Sequence, residues 1–224
     1  RLFSGRMTST ELQTVNRRLK KQYAAKKAPI VDLIQVKTQD PFRILVATIL
    51  SARTKDETTS EVCARLFEVV KQPHDFDAYT VKQVEKLIHP IGFFRTKAKH
   101  LKALPEALDR QFGGIIPDTI DDLCELPGVG RKTANLVVAL AFDKPAICVD
   151  VHVHRICNRL GLLKTKTPLE TEMKLREILP KRYWKTWNSY LVSYGQTLCT
   201  PTGPHCSQCV IPEFCLRIGV SRSR

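Results

Sequence analysis

The sequence predicts an all-α protein, and three observations support this class. Apolar residues recur at helical spacing along most of the chain, for example at Leu101, Leu104 and Leu108. Capping signals precede several of these segments, as where Glu11 follows Thr8 by three positions. No segment shows the sustained alternation of apolar and polar residues that is typical of strands. We therefore expect roughly ten helices joined by short connections.

Local signals mark where individual helices begin. Pro41 directly after Asp40 predicts the start of a mostly apolar, buried helix. Asp56 is expected to cap the following helix, because its side chain can accept a hydrogen bond from a first-turn N–H group. Thr80 begins a further helix. Residues 1–6 precede a methionine, and we interpret them as an expression remnant or a disordered leader.

The composition indicates a strongly basic protein with one large or two small domains. The chain has 224 residues, with 36 Lys and Arg against 22 Asp and Glu, a formal charge of +14 and a pI near 9.6. This balance favours an anionic partner, with nucleic acid as the first candidate, although a basic protein without such a partner also fits. No apolar run approaches the roughly 20 residues that a bilayer crossing takes. We expect a cytoplasmic monomer, nucleoid-associated if the source is prokaryotic.

The stretch that organises the chain runs from Leu126 to Asn135 and reads LPGVGRKTAN. Glycine reaches positive φ at little steric cost, so Gly128 and Gly130 predict a tight turn. The apolar run that follows has helical spacing, which places Arg131 and Lys132 in the first turn of a helix. Such a helix end suits a phosphate but disfavours cations. A helical corner with two surface cations is the simpler interpretation, and a phosphate site with a reactive amine is the functional one.

Eight cysteines divide into two groups. Four lie scattered in apolar helical patterns and are interpreted as reduced core cysteines: Cys63, Cys124, Cys148 and Cys157. Four others lie within seventeen residues: Cys199, Cys206, Cys209 and Cys215. Thiolates at this spacing can close around one metal centre, and both zinc and an iron–sulfur cluster use four of them. Two disulfides are the third alternative.

LPGVGRKTAN, together with Val149-Asp150-Val151-His152, resembles the helix-hairpin-helix and Gly/Pro-Asp signature of DNA repair glycosylases. Within them it looks like the endonuclease III branch, and the resemblance extends from about Glu11 to Cys215. It implies a two-lobed helix-hairpin-helix glycosylase fold with a C-terminal iron–sulfur cluster loop. Residues 1–33 and 146–224 would form the iron–sulfur cluster domain, and residues 34–145 the central helical domain with the hairpin.

The resemblance also implies a bifunctional DNA glycosylase and AP lyase of base excision repair that removes oxidised pyrimidines. Lys132 stands where this branch has its catalytic lysine; it would form a Schiff base with the sugar and nick the strand by β-elimination. Asp150 would accept a proton from the lysine or stabilise the cationic sugar, and a helix N-cap is the simpler, compatible role. The partner would be double-stranded DNA with a damaged base, its phosphate bound by the hairpin residues Gly128, Val129, Gly130 and Arg131.

The cysteine spacing resembles the [4Fe–4S] loop of the same branch, so the resemblance favours an iron–sulfur cluster over zinc. Disulfides are the poorest choice, because a DNA repair enzyme works in a reducing compartment. One departure concerns residues 200–205, TPTGPH, which contain no Lys or Arg, whereas family members often have several there. Either the phosphate contact from this loop is weaker here, or backbone N–H groups and His205 supply it.

By resemblance, two loops would fill the gap that an extruded nucleotide leaves in the stack. Arg53 stands in one of them, where the family usually has glutamine, and Phe93 in the other, where leucine is frequent. An aromatic wedge can stack between bases, whereas a core phenylalanine beside Phe94 is the alternative. Two further functions stay open: the same chemistry with another lesion preference, and a non-catalytic DNA-binding iron–sulfur protein.

Overall fold

The computed structural model describes residues 7–25 and 39–224, and the regular structure in these ranges is helical without a strand. This confirms the all-α prediction. Residues 1–6 and the expected domain boundary between 33 and 34 lie outside the described residues. Contacts divide the chain into two compact units, separated between Lys144 and Pro145. Unit 1 comprises residues 7–25 and 145–224, and unit 2 comprises residues 39–144.

The helices have the following bounds in chain order. The α-helices are α1 (Ser9–Ala24), α2 (Pro41–Ser51), α3 (Asp56–Val69), α4 (Val81–Ile88), α5 (Phe94–Phe112), α6 (Ile120–Cys124), α7 (Arg131–Ala141), α8 (Val151–Leu160), α9 (Pro168–Ile178) and α10 (Trp184–Thr197). Short 3-10 helices cover Pro73–Ala78, Lys181–Tyr183, Cys206–Gln208 and Pro212–Phe214. Within the described ranges, every helix falls short of the length and apolarity that a membrane crossing requires.

Helix α2 is the centre of unit 2. Eight of its eleven residues are buried, so it is apolar on all sides and must be surrounded by other helices. Helices α3, α5 and α7 pack against it, α4 packs on α5, and α6 packs on α7. The hydroxyl of Thr48 donates to the carbonyl of Ile44 (2.7 Å), which satisfies a buried polar group within the helix. Helix α7, which follows the glycine turn, therefore packs on the most buried helix of unit 2.

Unit 1 has its own core, formed where α1, α8 and α10 pack together, with α9 against α8. Trp187 of α10 is fully buried there, and Trp184 donates its ring N–H to the carbonyl of Leu179 (2.7 Å). The rings of Tyr23 and Tyr190 lie 5.2 Å apart and join α1 to α10. Helix α8, which begins directly after Asp150, is held by α9 and α10.

The helix starts follow the sequence signals with one exception. Thr8 accepts from the N–H of Glu11 (3.2 Å), whose carboxylate accepts from the N–H of Thr8 (2.7 Å), so the predicted capping box is confirmed. The prediction that Asp56 caps α3 is wrong. Lys55 occupies the cap without a side-chain hydrogen bond, and Asp56 is the first helical residue. Its negative charge still complements the positive end of the helix dipole.

The scattered cysteines are core residues, as predicted, with Cys124 only half-buried. Cys63, Cys148 and Cys157 are buried, and none of the four forms a disulfide. Burial raises the pKa of the Cys63 and Cys157 thiols to about 12. These two thiols therefore keep their protons at neutral pH and act as small apolar side chains.

Candidate active site and cysteine centre

The hairpin turn depends on Gly128. Its φ is +79°, a conformation that side chains with a Cβ rarely adopt, and a Cβ at this position would lie 2.5 Å from Nδ1 of His100. The N–H of Val129 donates to the carbonyl of Leu126 (3.1 Å) and closes the turn. The expectation of positive φ is wrong for Gly130, which has φ −95° and open space around it. Gly130 serves instead as the N-cap of α7.

Lys132 is exposed in the first turn of α7, as predicted. The helix backbone makes its first hydrogen bond from the N–H of Ala134 to the carbonyl of Gly130 (2.9 Å), so the preceding N–H groups lie at the open helix end. Arg131 pairs with Asp121 of α6 at 3.6 Å, and the carboxylate is 95% exposed. A pair this exposed contributes little to stability.

Asp150 is the N-cap of α8, which confirms the capping interpretation. Its Oδ1 accepts from the N–H groups of His152 (2.9 Å) and Val153 (3.0 Å). These two bonds fix the orientation of the carboxylate. Asp150 belongs to unit 1 and Lys132 to unit 2, and the predicted proximity of the two groups stays a prediction.

The predicted wedge residues share an unusual backbone conformation. Arg53 has φ +55° and Phe93 has φ +58°, the left-handed region that costs a non-glycine residue about 1–3 kcal/mol. The guanidinium of Arg53 lies over the ring of Phe93, 5.3 Å from its centroid. Phe93 is 61% exposed, so the alternative of a core phenylalanine is wrong. Unit 2 thus brings both residues together at its surface.

Lys97 holds together the two loops that contain Arg53 and Phe93, a role that the sequence analysis missed. Its ammonium is buried and donates to the carbonyls of Leu50 (2.9 Å) and Ala52 (2.6 Å), at the end of α2. It also approaches Oγ1 of Thr54 (3.4 Å), which accepts from the N–H of Gly92 (3.1 Å). One side chain therefore connects the segment around Arg53 with the segment that precedes Phe93.

The spacing of apolar residues in α5 indicates that Lys97 is buried. Position 97 lies on the same helical stripe as the buried Leu101, Leu104 and Leu108, so its cation had to be buried with them. A cavity of about 260 Å³ adjoins this lysine. Its lining comprises Ile49, Ala52, Arg53, Phe93, Thr96, Lys97, His100 and Gly128. The hairpin glycine and both wedge residues therefore share one cavity.

The four clustered cysteines surround one small cavity in unit 1. Cys199, Cys206, Cys209 and Cys215 all line a space of about 30 Å³. All are free thiols, so the disulfide alternative is wrong. In the described ranges no three His, Cys, Asp or Glu side chains are arranged to ligate a single metal ion. The four cysteines therefore share one cavity.

Several hydrogen-bond donors point at these sulfurs. The hydroxyl of Tyr194 donates to Sγ of Cys209 (3.0 Å), and a guanidinium N–H of Arg159 reaches Sγ of Cys199 (3.5 Å). Burial, together with the charges of the neighbouring thiols, raises the pKa of the Cys215 thiol. A metal centre, which needs thiolates, would have to overcome this effect by its own positive charge.

Two arginines of α8 hold the loop that follows Cys199. The buried Arg159 donates to the carbonyls of Thr200 (2.7 Å) and Pro201 (2.6 Å). Arg155 donates to the carbonyl of Cys199 (2.8 Å). Their partners lie some forty positions away along the chain, and helical periodicity gives no signal for such contacts.

The profile described as "HhH-GPD superfamily base excision DNA repair protein" matches residues 46–181. The helical fold, the glycine turn and this match establish that the chain belongs to that family. It is 43% identical over 179 residues to "Endonuclease III" of Thermotoga maritima, covering 80% of this chain and 84% of the relative. It is 42% identical to "Endonuclease III homolog 2, chloroplastic" of Arabidopsis thaliana, covering 78% of this chain but only 47% of that longer relative.

Solved structures agree with this membership. The chain superposes with a TM-score of 0.82 on a structure described as "Structure of a Trapped Endonuclease III-DNA Covalent Intermediate: Estranged-Adenine Complex". The identity is 33%, covering 94% of this chain and 97% of that chain. The fold class and the family predicted from the sequence are thereby confirmed.

The buried ammonium of Lys97 generates a pH-dependent prediction. Burial lowers the pKa of Lys97 from 10.5 to about 8, so between these values the unfolded chain holds a proton that the folded chain has lost. Stability rises with pH wherever the unfolded state binds more protons. We expect the free energy of unfolding of the wild type, relative to Lys97→Met, to rise from pH 8 to 10.5 by on the order of 1 to 3 kcal/mol.

The measurement is urea denaturation of both proteins across this pH range. Lys99→Met, on the exposed side of the same helix, is the matched control and should differ from the wild type by the same amount at every pH. A difference between wild type and Lys97→Met that does not change with pH would contradict the lowered pKa.

Proposed function

We propose that this chain is a bifunctional DNA glycosylase and AP lyase that removes oxidised pyrimidines from double-stranded DNA and nicks the strand. The observation that carries the proposal is the exposed Lys132 at the start of α7, directly after the Gly128 turn. The open helix end beside it attracts a phosphate through its N–H groups and dipole. A nucleophile and a backbone contact therefore lie next to each other on one element.

The reaction starts once the damaged nucleotide has left the base stack, which costs a few kcal/mol. Nζ of Lys132, as a neutral amine, forms a bond to C1′ while the bond from C1′ to the base breaks, and the base leaves. The sugar ring opens to give a Schiff base. A proton is then lost from C2′, and the 3′ phosphate leaves by β-elimination, which nicks the strand.

Asp150 has a capping role and a chemical role. Its Oδ1 caps α8, and the two N–H groups that it accepts orient the carboxylate. The charge accepts the proton that Lys132 gives up, or stabilises the cationic sugar as the base leaves. The two roles are separable, because capping needs only an acceptor oxygen and the chemistry needs the charge.

The hairpin holds the DNA backbone. The N–H groups of Gly128 and Gly130 and those of the first turn of α7 bind a phosphate, and Arg131 adds a charge. The N–H of Val129 closes the turn, so Val129 contributes to this site through the turn geometry. The pair of Arg131 with Asp121 is solvent-exposed and contributes little to stability. Arg131 can therefore exchange this carboxylate for a phosphate at small cost.

Phe93 and Arg53 act as the wedge that fills the vacated stack. The exposed aromatic ring can stack between bases. Arg53 stands where the family usually has glutamine, and its guanidinium presents a rigid set of donors that suits guanine better than other bases. This departure favours the second candidate function, the same chemistry with another lesion or opposite-base preference.

The four clustered cysteines hold a [4Fe–4S] cluster in this proposal, and residues 146–224 with the N-terminal helix form its domain. The four cysteines are free thiols that line one cavity, as a shared centre requires. Hydrogen bonds to the sulfurs, as from Tyr194 to Cys209, are typical of cluster sites. The cluster would cross-link residues 199–215 and so fix the conformation of this segment.

The first test of the catalytic proposal is Lys132→Gln. Removing the amine removes the covalent route, so strand nicking and borohydride trapping on a lesion duplex should fall by more than about a thousandfold. Binding to the same duplex should change only a few-fold, because the other contacts remain. Lys99→Gln, an exposed cation on α5, controls for the loss of one charge. Trapping by the wild type on duplexes with different lesions ranks its substrates. A non-catalytic DNA-binding protein would show no nicking in any variant.

The second test separates the two roles of Asp150. Asn also caps helices well, so Asp150→Asn should leave the melting temperature nearly unchanged but reduce the trapping rate by about 10²–10⁴-fold. Asp150→Ala loses the cap as well and should be destabilised by a further 0.5–2 kcal/mol or so. Equal trapping rates for wild type and Asp150→Asn would remove the carboxylate from the chemistry.

The third test concerns the metal. Protein purified under anaerobic conditions should contain about four iron atoms and four sulfides per chain and show a visible charge-transfer absorption. Cys206→Ser should lose most of this iron, whereas Cys124→Ser, outside the centre, should keep it. Stoichiometric zinc without sulfide would overturn the cluster proposal.

A further inference from the structure

The loop between the first two clustered cysteines is poor in groups that can bind a phosphate. It contains no Lys or Arg, and Pro201 and Pro204 have no N–H group. The N–H of His205 is already bonded to the carbonyl of Leu198 (2.9 Å). His205 also lines the cysteine cavity. Of the six loop residues, two therefore have no N–H group to offer a phosphate, and a third has its N–H bonded within the protein.

A second segment lies against this loop and carries the missing charge. We define the arginine tail as residues 216–224, LRIGVSRSR. The N–H of Arg224 donates to the carbonyl of Pro204 (2.8 Å), and its own carbonyl accepts from the N–H (3.1 Å) and hydroxyl (3.0 Å) of Ser207. Its guanidinium lies beside Gly203, with Nε 3.5 Å from the place of a Cβ there. Main-chain hydrogen bonds therefore hold a cation on the cysteine loop.

The start of the tail is attached to the same unit. The N–H groups of Leu216 and Ile218 donate to the carbonyls of Leu160 (3.4 Å) and Arg159 (3.1 Å), at the end of α8. Val220 lines the cysteine cavity. The tail is thus fixed at both ends, and its conformation does not depend on the arginine side chains.

The ion pairs of the described residues leave the charge on this surface without a carboxylate partner. The tail contains three arginines and no acidic residue, and residues 199–212 contain no acidic residue either. Glu213, the nearest carboxylate along the chain, pairs with Arg18 (2.6 Å). Arg222 and Arg224 are exposed, and neither takes part in an ion pair with any described residue. Two exposed cations, one of which is fixed by main-chain hydrogen bonds, favour a polyanion.

We propose that Arg224, held on the cysteine loop by main-chain hydrogen bonds, and the nearby Arg222 of the same tail bind backbone phosphates of duplex DNA in place of cations within that loop. This interaction surface rests on the proposed function for its partner. Arg217 is not included, because it lines the cysteine cavity. The contact carries no sequence information; it adds affinity and fixes orientation.

The test is Arg222→Gln with Arg224→Gln, which removes two charges and keeps the main-chain bonds. Binding to a duplex with a tetrahydrofuran abasic analogue is measured at several salt concentrations. We expect affinity to fall on the order of tenfold and the slope of log K against log salt to become shallower by about 2, because each phosphate contact contributes about 0.9. Arg222→Lys with Arg224→Lys should keep the wild-type slope.

Lys164→Gln with Lys166→Gln is the matched control, since it removes two exposed cations from another loop of unit 1. It should change affinity less than about twofold. Thr202→Lys, at an exposed loop position, should restore about one unit of slope to the double glutamine variant. Wild-type affinity and slope in the double glutamine variant, or an equal loss in the control, would overturn the proposal.

A measurement on the wild type covers the case in which the variant disturbs the cysteine centre. Modification of arginines by phenylglyoxal, read by mass spectrometry, should be suppressed by the duplex at Arg222 and Arg224 but not at Arg182. Unprotected tail arginines in a protein that binds the duplex would overturn the proposal. Borohydride trapping tests the enzyme activity separately. If the protein is trapped but the tail arginines are not protected, only the tail proposal is rejected. If the tail arginines are protected but no trapping occurs, only the lyase proposal is rejected.

Discussion

The hairpin turn of unit 2 depends on the close approach of Gly128 to His100. A side chain at position 128 is excluded twice, by the positive φ and by the 2.5 Å that would separate its Cβ from the imidazole. The turn that results fixes where α7 begins, and this start determines that Lys132 faces solvent in the first helical turn. Packing of α7 on the buried α2 keeps the turn in place. The proposed nucleophile is therefore positioned by a steric contact at the turn and by a packed helix.

A buried cation organises the neighbouring loops in a comparable way. Burying an ammonium is costly unless oxygen atoms surround it, and Lys97 finds two carbonyls of the last turn of α2 together with a hydroxyl. The carbonyls at a helix end have no partners within the helix, so the lysine satisfies groups that would otherwise need water. Arg53 and Phe93 keep their left-handed conformations beside this anchor. Strained residues of this kind concentrate at functional sites, which agrees with the wedge role proposed for them.

Local interactions explain what the sequence predicted well. The capping box of Thr8 and Glu11 spans three positions, and the four clustered cysteines lie so near each other along the chain that any compact fold must group them. The spacing of α5 indicates that Lys97 is buried, but its role was missed because its acceptor at Leu50 lies 47 positions earlier, and periodicity does not identify such a partner.

The contact of Arg224 with Pro204 was missed for the same reason. The wrong expectations for Asp56 and Gly130 have a different cause. Their residue types fit two neighbouring positions of a helix start almost equally well, so composition could not choose the register.

The guanidinium of Arg53, which lies over the ring of Phe93, affects how this ring would insert between the bases of DNA. A bare phenyl ring at the surface would have both faces in water, whereas this ring already has one face covered by a planar cation. In the proposed wedge role, the ring would exchange this cation for a nucleobase when it enters the stack, and little new ordering of its side chain would be required. The displaced guanidinium would then lie near the orphaned base and could donate hydrogen bonds to it. Insertion of the ring and recognition of the orphaned base would then occur in the same step.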